Sequence, residues 1–211
     1  MNEQEKQSKE QAILEAAEQE FLSKGFDGAR TTSIAETAGV THAMLHYYFR
    51  TKEQLFERIL NEKMSLMASS MIAVLGDPNL PLLERIKQGI IHHFDFIAAN
   101  PELPRFIINE VVTHSDRIKI MQENITKIAN RLFLQLQKDL DDAAKRGEVE
   151  KMDVRMLIID LLSLNIMPFL IYPVIENVFS DLADDRAAFF EERKAEAVET
   201  IMRRIKKHQT I

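Results

Sequence analysis

The sequence contains no cysteine among its 211 residues. This absence excludes disulfide bonds, thiol catalysis and zinc sites built on cysteine. Residues 1–11 are polar and lack the apolar segment of a signal peptide, so we expect a cytoplasmic protein. There is also no alternating strand pattern, internal repeat, nucleophile–base–acid set or phosphate-binding glycine loop. The sequence therefore predicts an all-α protein that is not an enzyme and has no cofactor or metal site.

Long apolar segments are scarce, and residues 156–175 form the one that resembles a membrane span in length. Asp160 and Asn165 lie near its middle, and Pro168 and Pro173 near its end. A central aspartate costs about 3 kcal/mol on membrane-insertion scales. We therefore predict a buried helix at a protein interface, kinked or ended at Pro168, and no membrane partner.

The charge is unevenly distributed along the chain. The net charge is −6, but residues 28–52 carry Arg30, Arg50 and Lys52 against Glu36, which gives 3 − 1 = +2. A locally basic segment favours contact with nucleic acid, whereas the acidic remainder limits non-specific DNA affinity.

Residues 31–52 predict two short helices separated by a tight turn. The first runs from about Thr32 to Ala38, and Gly39 is placed to end it. Thr41 is the predicted N-cap of the second helix. Four residues separate Leu45 from Phe49, so both lie on one buried face and the polar and aromatic side chains around them point outward. This pattern is typical of a helix-turn-helix, here at about residues 32–51, with the second helix as its recognition helix.

The motif G-x5-T-x2-I-A-x2-A-G-V-T-x3-L-x-Y-Y-F-x2-K-x2-L occupies residues 25–55 and resembles the N-terminal domain of the TetR family of bacterial transcriptional regulators. The resemblance covers residues 9–65. His46 stands where the family usually has a tyrosine that contacts phosphate. The resemblance implies binding to double-stranded DNA as a homodimer, with repression of a pseudo-palindromic operator that a small hydrophobic or amphipathic effector relieves.

Helix-start hydroxyls and Lys52 are expected to hold phosphates, and the front of the recognition helix is expected to reach base edges. The predicted DNA-binding residues are Thr31, Thr32, Ser33, Thr41, His42, Ala43, Met44, His46, Tyr47, Tyr48 and Lys52. His42 and His46 have the spacing of two zinc ligands, but Ala43 stands where a zinc protease motif has glutamate, so we predict no metal.

We predict a flexible tail at residues 1–8, the DNA-binding domain at 9–65 and a helical effector-binding and dimerisation domain at 66–211. Polar residues among aromatic ones are typical of a small-molecule site. The predicted pocket comprises His93, Phe94, Phe106, Asn109, Glu110, Asn124, Phe133, Asn165 and Phe169. Ordinary core packing is the alternative for each aromatic residue.

The last two long helices are the expected dimer interface, by resemblance to the family and because an apolar helix with polar members needs a second covering surface. The predicted interface residues are Asp160, Leu164, Phe190, Ala197, Ile201 and Ile205. Two other functions stay open at this point. One is an architectural DNA-binding protein without an effector, and the other is an enzyme, dependent on His92 and Glu110, with a DNA-binding appendage.

Overall fold

The computed structural model describes residues 3–206 and, within that range, all side chains except those of residues 3, 70, 115–116, 120–121, 123–129 and 183. No strand occurs in this range, which confirms the all-α prediction. The α-helices are α1 Glu3–Gly28, α2 Thr31–Thr37, α3 His42–Tyr48, α4 Lys52–Leu75, α5 Leu82–Ala99, α6 Leu103–Ile107, α7 Ser115–Lys145, α8 Val154–Val178, α9 Ser180–Ala183 and α10 Arg186–Ile205. A π-helical turn, Ile108–Val112, follows α6 directly.

The chain divides into two compact units. The first contains residues 1–66 and 105–124, and the second contains residues 67–104 and 125–211. Residues 105–124 were predicted to belong to the second domain, because helical periodicity shows which face is apolar but not which helices pack together.

Several helix ends follow the local signals in the sequence. The side chains of Thr41, Thr51 and Asp153 each accept a hydrogen bond from a backbone N–H two or three residues further on. These bonds satisfy donors that a helix start leaves unpaired. Gly39 and Gly147 have positive φ angles of 66° and 77°, as expected for glycines that end α2 and α7.

Residues 3–8, which were predicted to belong to a flexible tail, are helical in the structure. The first helix already begins at Glu3, so residues 3–8 extend it toward the N-terminus. Gly25 interrupts the helix with a φ of 69°. A Cβ atom at this position would lie 2.5 Å from Glu110 Oε1, so Gly25 is required both by its backbone conformation and by the approach of Glu110.

The kink or end predicted at Pro168 also differs from the structure, because α8 continues through Pro168 and Pro173 to Val178. Each proline removes one helical hydrogen bond. Leu161, Asn165 and Phe169 are buried on one face of α8 within the second unit. This packing holds the helix together across the prolines.

Each unit has its own core. In the first, Phe26 and Phe56 approach with ring centroids 5.1 Å apart, nearly perpendicular, and both rings contact Phe21. In the second, one aliphatic cluster includes Ile90 and Leu161, and a separate aromatic cluster includes Phe94, Phe169 and Phe190.

Candidate DNA interface

The recognition helix α3 buries one face and exposes the other. Leu45 is 1% exposed and Phe49 is 8% exposed, as their spacing predicted. Tyr47 is 69% exposed. The other exposed side chains on this surface are those of Thr32, Thr41, His42, Ala43 and His46, with Thr31 and Met44 half-buried at its edge. This surface is called the α3 outer face below.

A hydrogen-bond network orients the two histidines of the α3 outer face. Thr31 Oγ1 lies 3.0 Å from His42 Nε2, which links the first residue of α2 to the first residue of α3. His46 Nδ1 lies 3.2 Å from the Arg50 carbonyl oxygen. A carbonyl only accepts, so Nδ1 of His46 carries the hydrogen and its Nε2 faces away. The imidazole rings lie 4.4 Å apart and perpendicular to each other.

Three predicted DNA-binding residues have their polar groups bonded or buried within the first unit instead. Ser33 Oγ donates to Glu20 Oε2 at 3.3 Å. The Tyr48 hydroxyl is buried with no hydrogen-bond partner among the described residues. Lys52 Nζ donates to the Phe26 and Ala29 carbonyls at 2.7 and 3.0 Å. Sequence spacing placed these groups on the DNA side, because it does not show that Ser33 and Lys52 bond to α1 or that the Tyr48 hydroxyl is buried.

Lys52 therefore has a structural position that the sequence did not indicate. Its ammonium group lies 4.5 Å from the centre of the Phe26 ring, in addition to its two carbonyl contacts. An ammonium group has three N–H donors, so one is left for a phosphate. The lysine ties the start of α4 to the turn that follows the Gly25 interruption.

The Glu20 carboxylate accepts several hydrogen bonds where α1 meets α2. It accepts bonds from Lys24 Nζ at 2.8 Å and from the Arg30 N–H at 3.2 Å, as well as from Ser33. Burial alone would raise the pKa of Glu20, but these hydrogen bonds and the charge of Lys24 together lower it. An ionised Glu20 thus fixes the orientation of α2 behind the α3 outer face.

Exposed positive charges lie near this face. Arg30 precedes α2 and Arg50 follows α3, and both are exposed with no side-chain ion pair among the described residues. Lys6, on the first turns of α1, has its ammonium nitrogen 5.9 Å from the centre of the Tyr47 ring. Lys6 was not among the predicted DNA-binding residues, because residues 1–8 were expected to form a flexible tail.

The first unit also contains an ion pair that the sequence did not indicate. Arg117 Nη1 lies 2.8 Å from Glu110 Oε2, and its guanidinium carbon lies 4.3 and 5.0 Å from the ring centres of Phe26 and Phe56. Phe106 also packs on Phe56, with centroids 5.4 Å apart. This cluster attaches residues 105–124 to the core behind the α3 outer face.

The predicted effector pocket is divided by these contacts. Phe106, Asn109 and Glu110 belong to the first unit, whereas His93 and Asn165 meet in the second. Phe94 and Phe169 belong to the aromatic cluster of the second unit, and Phe133 packs against its aliphatic cluster. The side chain of Asn124 lies outside the described residues.

The predicted dimer residues also lie differently from expectation. Phe190, Ala197, Ile201 and Ile205 are each at most 9% exposed because the chain itself buries them. Asp160 forms an ion pair with Arg204 of α10, and Leu164 is half-buried. The four α10 residues are core positions, because the apolar face of α10 packs against α5 and α8 of the same chain.

The opposite face of α8 is exposed and apolar instead. Its stripe comprises Met156, Ile159, Met167, Ile171, Val174 and Val178, which are 38% to 62% exposed. These positions recur at helical spacing and span about 33 Å of helix. Of the described helices, α8 is the one whose length and composition would also allow a membrane span, which is weak support for one.

The described residues contain no group of three or more histidine, aspartate or glutamate side chains that could hold a metal ion. The first unit contains a short helix whose polar and aromatic groups face outward, whose opposite face is buried, and which has exposed arginines on both sides of the motif. This arrangement is that of a helix-turn-helix DNA-binding domain.

Comparisons with known proteins support the assignment of a helix-turn-helix DNA-binding domain. The family model for bacterial regulatory proteins of the tetR family matches residues 13–59. A probable helix-turn-helix transcriptional regulator of Bacillus subtilis, YttP, is 26% identical over 78% of this chain and 79% of its own length. The transcriptional repressor SCO4008 of Streptomyces coelicolor is 36% identical over 46% of this chain and 47% of its own length.

A solved structure of a TetR family transcription regulator from Marinobacter aquaeolei covers 98% of this chain and 100% of its own, with a TM-score of 0.66 and 20% identity. That likeness concerns the fold. The protein is a DNA-binding transcriptional regulator and not an enzyme. Its residues 13–59 are a DNA-binding domain of the TetR family.

Proposed function

We propose that the α3 outer face enters the major groove of an operator, with His42 and Ala43 at base edges and Tyr47 at a phosphate. The observation that carries this proposal is the division of α3, in which Leu45 and Phe49 are buried while Tyr47 is 69% exposed. Arg30, Arg50 and Lys6 lie around this face and supply phosphate contacts. Because phosphate contacts position a protein without reading sequence, specificity comes from the front of α3.

The adjacent tyrosines provide a matched test of this orientation. Tyr47→Phe removes an exposed hydroxyl and should weaken operator binding by about 1–3 kcal/mol, the range for a hydrogen bond to a charged group. Tyr48→Phe removes a hydroxyl that is buried and unpartnered among the described residues, so it should leave binding unchanged. Fluorescence anisotropy with labelled operator measures both variants. A larger loss with Tyr48→Phe would show that α3 faces DNA differently.

The α8 apolar stripe supports a homodimer. A surface of this length and composition is costly to leave in water, and a two-fold contact covers the same stripe on both subunits. We place the interface on this stripe and not on the buried residues of α10. Two α3 helices of such a dimer would enter successive major grooves about 34–36 Å apart on a pseudo-palindromic operator.

A charge on the stripe tests the interface. Ile171→Glu places a carboxylate where the subunits meet and should give a monomer in sedimentation, with loss of operator binding. Glu176→Lys changes an exposed charge on the same helix but adds none to the stripe, so it should remain dimeric. A dimeric Ile171→Glu variant with normal operator affinity would place the interface elsewhere.

Repression relieved by a small molecule is the regulatory mode we propose, with the protein acting in the bacterial cytoplasm beside its DNA. The relative from Streptomyces coelicolor is named as a repressor. Physically, an effector must bind the DNA-free conformation more tightly than the bound one. Operator release by members of a metabolite panel tests this mode. Equal affinity for all DNA sequences, with no response to the panel, would favour an architectural protein.

A further inference from the structure

His93 and Asn165 form a buried polar pair at the boundary between the two apolar clusters of the second unit. Asn165 is 0% exposed and His93 is 2% exposed. On α5, His93 follows Ile90 of the aliphatic cluster and precedes Phe94 of the aromatic one. On α8, Asn165 stands four residues from both Leu161 and Phe169, which belong to the same two clusters.

The hydrogen bonds of the pair fix its orientation. Asn165 Nδ2 lies 2.8 Å from the Ile90 carbonyl oxygen and 3.2 Å from His93 Nδ1. A carbonyl only accepts, so the NH2 end of the amide must face Ile90. Its second hydrogen then points at His93 Nδ1, which must be the acceptor. In a neutral imidazole the hydrogen is therefore on Nε2.

Two polar atoms of this pair have no hydrogen-bond partner among the described residues. They are His93 Nε2, which the orientation makes a donor, and Asn165 Oδ1, which is an acceptor. An unsatisfied buried donor or acceptor is destabilising, so such groups normally have a protein, water or ligand partner. Here one donor and one acceptor are presented by side chains that touch each other.

No net positive charge accompanies them. Burial lowers the pKa of His93 to about 4, so its ring is neutral near pH 7. The buried cation on the same helix, Arg85, is eight residues away, or about 12 Å along the helix. It is paired with Asp139 Oδ2 at 2.6 Å. A carboxylate would meet the Asn165 oxygen without a compensating charge, and an ammonium group would meet the His93 N–H.

We propose that His93 and Asn165 form the polar end of the effector site and select an uncharged ligand bearing a hydrogen-bond acceptor and a donor together, as in an amide or lactam. The ligand carbonyl accepts from His93 Nε2–H and the ligand N–H donates to Asn165 Oδ1. The aromatic cluster beside the pair favours an apolar or aromatic ligand body. This inference rests on the proposed regulation by an effector, because it names the chemistry of that same site.

The test compares ligands of one shape and different charge. The full-length protein is titrated with acetamide, benzamide and 2-piperidone, and with acetate, benzoate and toluene, by calorimetry and thermal shift. At least one of the amides should bind saturably, while acetate, benzoate and toluene, which lack the amide N–H and carbonyl pair, should not bind. Absence of binding by all three amides, or a carboxylate that binds as tightly as its amide, overturns the proposal.

Matched variants assign the binding to the pair. His93→Phe together with Asn165→Leu replaces both polar groups by apolar ones and should weaken amide binding about thirtyfold, from about fivefold per hydrogen bond. The control combines His92→Phe and Asn177→Leu, which change exposed residues of the same types on the same helices. Unchanged amide affinity in the His93 and Asn165 variant contradicts the assignment.

A readout on the unaltered protein covers the case in which the double variant does not fold. Nitrogen NMR of labelled histidine should show His93 as the Nε2–H tautomer, with its Nε2 signal shifting as amide is added. A pair that only holds a buried water would show no ligand-dependent shift. Operator binding is measured separately. Amide binding without operator release would refute the effector role but not the binding site. Operator release by a charged ligand that leaves the His93 signal unchanged would refute the binding site but not the regulation by an effector.

Discussion

Replacement of Arg117 by methionine should destabilise the first unit strongly. The Arg117 and Glu110 side chains are each 15% exposed and lie 2.8 Å apart. Removing one partner of a buried ion pair costs about 3–5 kcal/mol, because the other charge stays buried and unpaired. The loss of the two cation–π contacts of Arg117 adds about 0.5–1 kcal/mol for each contact, taking the range known for exposed sites. Residual exposure lets Glu110 gain some hydration, so we expect a net loss of about 3 kcal/mol for Arg117→Met.

Urea unfolding followed by circular dichroism measures this loss. Arg105→Met is the matched control, since Arg105 is exposed in the same segment and has no ion pair among the described residues. The double variant Arg117→Met, Glu110→Gln should recover part of the stability, because it removes the unpaired carboxylate as well. A loss below about 0.5 kcal/mol, the range of ordinary surface substitutions, would refute the assignment of this cluster as a buried charged contact.

Three further outcomes follow from the contacts described above. Lys52→Met should lower the free energy of unfolding by about 2 kcal/mol, because two hydrogen bonds to carbonyl oxygens are lost. Arg50→Met should leave stability unchanged and reduce the salt slope of DNA binding by about 1. The reverse result would make Arg50 the structural residue and Lys52 the phosphate contact. Gly25→Ala should destabilise the protein more than Gly39→Ala. Both glycines have a positive φ, but only at Gly25 would the added Cβ meet Glu110, at 2.5 Å. Thermal unfolding compares the two variants, and equal losses of stability would contradict the contact. The pKa of His93 is lowered from 6.5 to about 4, so the unfolded state binds more protons between these values and stability should fall as pH drops from 6.5 toward 4. That fall should be smaller in His93→Phe, and an identical pH dependence of urea unfolding would contradict a neutral buried His93.

Local signals in the sequence predicted the helices and the inner face of α3. Leu45 and Phe49 share a face because they are four residues apart, and Gly39 ends α2 because a glycine there accepts a positive φ. Such features depend on neighbouring residues, so one sequence is enough to indicate them. The TetR motif of residues 25–55 then added the DNA-binding function.

Long-range contacts were not predictable in the same way. The sequence gives no sign that Lys52 reaches the Phe26 carbonyl, which is 26 positions earlier, or that Arg117 packs on Phe26. It also could not show which side of α10 the chain buries, so Ile201 was predicted at the dimer contact although it is 1% exposed. An amphipathic helix has the same pattern whether its apolar face meets its own chain or a partner.

His93 and Asn165 are an intermediate case. Their polarity among apolar neighbours marked them for a binding site, but 72 positions separate them and only the fold brings them together. The same pocket prediction included Phe106 and Glu110, which pack in the other unit. Composition thus identified the unusual residues, and the tertiary structure decided which of them share a site.

Selection of bound fragments from random DNA tests the central claim most directly. The account predicts an enriched inverted repeat whose half-sites are centred about 10–10.5 base pairs apart, or a multiple of that spacing, as two α3 helices on one side of the duplex require. The enrichment should disappear when His42, Ala43 and Tyr47 are replaced together on the α3 outer face. Recovery of no enriched sequence, or of the same repeat by that triple variant, would contradict sequence recognition through α3.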